Sequence, residues 1–107
     1  MARFLFQATY SADGIKGVLK DGGTGRRTAV EAALKSLGGK LEAFYYGFGE
    51  TDVYVIVDGI DNAAAVAFSM GVGSTGSLSS IKTTVLMTPE EIDQAAKKSM
   101  TYRAPGR

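Results

Sequence analysis

The sequence predicts one α+β domain with the element order β-α-β-β-α-β, a four-stranded antiparallel sheet, helices on one face and an extra C-terminal helix. Three observations predict it. Residues 3–10 alternate between apolar and polar. Two apolar strands flank the turn Gly49-Glu50-Thr51-Asp52. Two segments with helical periodicity and cap residues separate the strands.

In the first strand Phe4, Phe6, Ala8 and Tyr10 point one way, and Arg3, Leu5, Gln7 and Thr9 the other. Ser11-Ala12-Asp13-Gly14 is turn chemistry suited to capping a short helical piece from about Asp13 to Leu19. The glycines of Lys20-Asp21-Gly22-Gly23-Thr24-Gly25 should break it, because glycine is costly inside a helix. A longer helix follows. Thr28-Ala29-Val30-Glu31 has capping-box form, Val30, Ala33, Leu34 and Leu37 share a face, and Gly38-Gly39 supplies the stop. Its start is expected between Gly25 and Thr28.

Residues 40–48 and 53–58 form the next strand pair, joined by a hairpin turn at Gly49–Asp52. Asp61-Asn62 caps an alanine-rich helix to Met70, and Gly71–Gly76 is a loop. The fourth strand runs from Leu78 to Met87, with Ile81, Thr83, Val85 and Met87 on one face and Leu78, Thr84 and Leu86 on the other. Thr88-Pro89-Glu90-Glu91 starts a last helix ending near Lys98. Residues 1–98 are thus expected as one domain and 99–107 as a loose tail. The order is that of the split βαβ, ferredoxin-like topology.

Composition narrows the chemistry. The chain has 107 residues, a net charge of +1, no Cys and no His. This removes thiolate nucleophiles, His-based triads and the common zinc sites, so no metal or other cofactor is expected. With no basic stripe, Arg103 and Arg107 belong to a solvated tail, and neither nucleic acid nor a membrane is expected as partner. No signal-peptide pattern or membrane-length apolar run is present, so a cytoplasmic protein is expected.

Assembly follows from the strand pair. Val53, Val55 and Val57 face one way, with Tyr54 and Ile56 opposite. Phe44, Tyr46 and Phe48 lie on one side of their strand, with Leu41, Ala43 and Tyr45 on the other. Both sheet faces therefore look apolar. Covering even ~500 Å² of such surface is worth on the order of 10 kcal/mol before association costs. Self-association through the bare face is the simplest cover, giving a homodimer or higher oligomer. Shielding by segment 11–25 and the C-terminal helix is the alternative.

The pattern resembles the GYD-domain family over about residues 3–92. The resemblance rests on the opening strand, Leu37-Gly38-Gly39-Lys40-Leu41, Gly49-Glu50-Thr51-Asp52, the alanine-rich helix, Thr83-Thr84-Val85-Leu86 and Thr88-Pro89-Glu90-Glu91. The family's central motif usually reads Gly-Glu-Tyr-Asp, and here Thr51 stands in the Tyr position. The resemblance implies a ferredoxin-like domain similar to the dimeric α+β barrels, some of which are oxygenases or bind small ligands.

Candidate site residues fall into three groups. Tyr10, Tyr45, Tyr46 and Tyr54 offer apolar rings with polar tips for a planar hydrophobic ligand, or serve as core and interface, where aromatics ordinarily dominate. Glu50 and Asp52 suit acid–base work, or simply make the turn; two carboxylates are too few to hold a hard cation. Arg26, Arg27 and Thr28, after a glycine run that fails the P-loop pattern, offer an anion site at a helix start, or a loop. Three functions follow: a homo-oligomeric module for a small hydrophobic or aromatic ligand, a cofactor-independent oxygenase or isomerase, or a structural subunit of a larger assembly.

Overall fold

In a computed structural model, which describes residues 2–107, the elements follow the expected order: β1 (Ala2–Tyr10), α1 (Ala12–Ser36), β2 (Lys40–Tyr46), β3 (Val53–Ile60), α2 (Asn62–Gly73), β4 (Leu78–Leu86) and α3 (Pro89–Lys97). The strands form one antiparallel sheet in the order β2-β3-β1-β4. This is the ferredoxin-like arrangement, with β1 and β3 central and the crossovers carried by α1 and α2.

The alternation of β1 decides where the core lies. Phe4, Phe6 and Ala8 are buried beside Val53, Val55 and Val57 of β3, and Leu34, Ala65 and Phe68 come down on them from the helices. Gly14 lets α1 enter close to the sheet: a Cβ there would lie 1.9 Å from the Ser77 carbonyl oxygen. Ser11 is the N-cap, its Oγ accepting from the Gly14 N–H at 3.2 Å.

The glycine run does not end the first helix. Within 12–36 only Gly22 leaves helical geometry (φ 77°, ψ 162°), so the expected break over Lys20–Gly25 is a single-residue kink. That backbone region is essentially restricted to glycine. Thr28 is consequently an interior residue, and the expected capping box with Glu31 does not form: its Oγ1 donates to the Thr24 carbonyl at 3.1 Å. The second capping box does form, with Thr88 and Glu91 satisfying each other's backbone N–H groups.

Two β-bulges correct the assignment of faces. Leu41 pairs with Val57 but Ala43 pairs with Ile56, so the register slips at Glu42. Thr9 pairs with Ser80 but Tyr10 with Leu78, so it slips again at Ser79. A one-residue slip reverses every side chain beyond it. Leu41 and Leu78, expected on the open face, instead pack against the core. The β2 strand also stops at Tyr46 rather than Phe48, because Phe48 takes a left-handed conformation (φ 53°) in the connection to β3.

The open face is therefore less apolar than the simple alternation implies. Its centre is a row of Ala43, Ile56 and Leu5, beside the cross-strand pair Tyr45–Tyr54. At one end Arg3 pairs with Glu42 at 3.0 Å and reaches Asp58 at 4.0 Å. The C-terminal helix does not shield this face as the alternative to self-association required: α3 buries none of its residues, and Ile92 stays half exposed.

Candidate functional site

Because α1 descends along the β2 edge and α2 climbs along the β4 edge, the two helices leave a gap over the middle of the sheet. The gap is a cleft of about 570 Å³. Phe6, Ala8, Phe44, Val53, Val55 and Ile81 make its floor, Val30, Ala33 and Leu37 of α1 one wall, and Ala67, Phe68 and Val72 of α2 the other. Gly14, Gly17 and Gly71 also line it, and their missing side chains keep the walls thin. A concave, mostly apolar space of this size with few polar groups matches the general form of a small-molecule site.

The polar groups gather where β1 ends. Tyr10, Asp13, Arg26 and Ser77 line the cleft there. Burial pushes the Tyr10 phenol up to about 12; the neighbouring Tyr46 phenol and Asp52 add to the rise, and Arg26 opposes it. Tyr10 thus holds its proton at neutral pH and can donate a hydrogen bond. Tyr46 packs against Gly23, its hydroxyl donating to the Gly23 carbonyl at 3.1 Å, which pins α1 just past the kink. Arg26, half-buried, meets Asp21 at 3.3 Å.

The candidate residues divide between places. Tyr10 and Tyr46 come together on the helix face. Tyr45 and Tyr54 sit opposite each other on the open face, with Tyr45 70% exposed, and take no part in the cleft. Asp52 binds the backbone: its Oδ2 accepts from the Tyr10 N–H at 2.9 Å, while its own N–H donates to the Ala8 carbonyl at 3.0 Å. Glu50 is exposed, and its carbonyl accepts from Thr9 Oγ1 at 3.1 Å. Neither carboxylate lines the cleft; both belong to a loop stitched to β1.

Of the proposed anion group, only Arg26 reaches the cleft. Arg27 is exposed, and Thr28 borders a separate depression with Glu31, Lys35 and Lys40. Joining Arg26 to Tyr10 was not legible in sequence, because the expected break would have placed Arg26 at a helix start rather than one turn past a kink. Among the described residues no group of three or more acidic side chains clusters as a metal site, and no helix is long and apolar enough to cross a membrane.

The family model for the GYD domain matches residues 4–96. The chain belongs to the GYD domain family. A search of curated proteins finds no match. In this GYD domain the motif loop Gly49–Asp52 closes the end of the sheet at which Tyr10 and Arg26 line the cleft. Thr51, in the position where the motif usually has Tyr, is buried, at 8% exposure. The tail beyond residue 96 lies outside the family match.

Proposed function

We propose that this GYD domain is a homo-oligomeric module that takes a small hydrophobic or aromatic ligand in the cleft between α1 and α2. The observation that carries the reading is the cleft itself: about 570 Å³ of space over an apolar floor in a domain whose helices would otherwise close over the sheet. A neutral, environment-sensitive dye should bind with enhanced fluorescence, and Ala33→Trp, which fills the space from the α1 wall, should abolish the enhancement. Undiminished binding to that variant, with its fold intact by circular dichroism, would refute the reading.

Self-association through the open sheet face, in the manner of a dimeric α+β barrel, is the second part of the proposal. It is supported by the row Ala43–Ile56–Leu5 and the Tyr45–Tyr54 pair, which present apolar surface between Arg3, Glu42 and Asp58 at one end and Gln7, Lys82 and Thr84 along the β4 side. Ile56→Lys should turn a dimer into a monomer in light scattering at micromolar concentration. A wild-type chain that is already monomeric there would remove this part.

The oxygenase or isomerase reading asks for Glu50 or Asp52 inside a pocket, and neither side chain lines the cleft. A purely structural subunit asks for no pocket. The cleft favours the binding reading over both.

A further inference from the structure

We infer that the ligand of the cleft is an amphipathic monoanion, an aromatic or aliphatic carboxylic acid whose acid group is taken by the Arg26 guanidinium and the Tyr10 hydroxyl while its apolar body lies on Phe6, Phe44, Val55 and Phe68. This rests on the reading of the cleft as a binding site and adds the chemistry of its occupant.

The cleft is polarised along its length. Its middle and the end near Leu37 are lined by aliphatic and aromatic side chains apart from Ser36. At the Tyr10 end, Arg26 is the single cationic side chain among the lining residues. A guanidinium carries five N–H donors in a fork that matches a carboxylate, and Asp21 meets Arg26 at one nitrogen, Nη1, at 3.3 Å. The remaining donors are available to a second acceptor. Tyr10 complements them. Its phenol stays protonated through neutral pH, so the hydrogen bond it shares with Tyr46 can be redirected to an acceptor and no competing charge arises.

The other lining groups restrict the class further. Asp13 is the one carboxylate lining the cleft, and it stands at the same end as Arg26. Asp21 approaches the same guanidinium from outside the cleft, so two carboxylates already face one cation; this disfavours a dianion such as a phosphate monoester and leaves room for at most a single charge, held by the remaining N–H donors. The apolar floor accepts no second polar group without leaving it unpaired. The volume, about 570 Å³, is on the order of 19 water-sized volumes, room for a fused-ring or medium-chain body.

The test compares matched probes by isothermal titration: 2-naphthoate, its neutral counterpart 2-naphthylmethanol, and 2-naphthyl phosphate. The wild-type chain should bind naphthoate roughly 10- to 100-fold tighter than the alcohol, the range expected for hydrogen bonds to a charged group. Arg26→Gln should erase that preference by weakening naphthoate far more than the alcohol, and Arg27→Gln, one residue away but outside the cleft, should preserve it. Equal binding of naphthoate by wild type and Arg26→Gln, with the alcohol still bound, would overturn the inference and leave the cleft reading standing. Tighter binding of the phosphate would overturn the assignment of a single charge. Failure of every probe to bind would remove both the inference and the reading beneath it.

Discussion

Along β1, successive residues enter two different environments. Phe4, Phe6 and Ala8 are 2%, 1% and 6% exposed beneath the helices, whereas Arg3, Leu5, Gln7 and Thr9 are only partly buried, on a face that none of the described helices covers. The helix face is closed by shape: Phe6 meets Phe68 with ring centroids 4.8 Å apart, and Gly14 admits α1 to within contact of Ser77. The open face is organised by cross-strand pairs, Tyr45 with Tyr54 and Arg3 with Asp58, which tolerate water. One strand can serve both because side chains alternate with a period of two. The difference teaches where stability and where recognition are placed. Folding depends on the helix face, which also holds the cleft, while the open face is free to meet another molecule.

Mutations that break this contrast should differ in size by face. Phe6→Ala removes the most completely buried ring and opens a cavity under both helices; a loss of about 3–5 kcal/mol in denaturant unfolding is expected. Gly14→Ala forces a methyl group against the Ser77 backbone, and overpacking of this kind costs about 1–3 kcal/mol, measurable by the same transition. Tyr45→Ala, on the open face, removes one cross-strand pair and should cost only about 0.2–1 kcal/mol in the isolated chain. A Tyr45→Ala loss as large as that of Phe6→Ala would erase the distinction between the faces.

The smallest effect is one of pH. Tyr10 has its folded value raised from 10.0 to about 12, so between these values the unfolded chain releases its phenolic proton while the folded chain retains it. The unfolded state then binds fewer protons, and stability falls as pH rises through this window; below about pH 10 the group adds no slope. Solvent around the half-buried ring damps the effect. Tyr10→Phe should flatten the alkaline limb of the stability profile and remove a phenol ionising near pH 12 from an ultraviolet titration.

Much of the fold was legible because its signals are local. The alternation Phe4–Tyr10, the N-caps Ser11, Asp61 and Thr88, and the Pro89 start each act within a few residues and hold in the structure. The misreadings have non-local causes. Gly22 to Gly25 signals a break by propensity, yet Tyr46, 23 residues away, fastens the segment and leaves only Gly22 out of helical geometry. The candidate site was legible only in pieces. The tyrosines formed one group and Arg26 another, and the structure takes Tyr10 and Tyr46 from the first and Arg26 from the second.

By itself, the sequence determined the order of elements, the buried face of β1 and β3, the caps, and the absence of thiol and imidazole chemistry, since each depends on residue type and short-range spacing. Only the tertiary structure decided the rest. The slips at Glu42 and Ser79 carried Leu41 and Leu78 to the helix face, and the separation of α1 from α2 opened the cleft. It also brought Arg26 beside Tyr10. The reason is physical: register and helix placement are set by the pairing and packing of segments distant in the chain, and no local pattern encodes them.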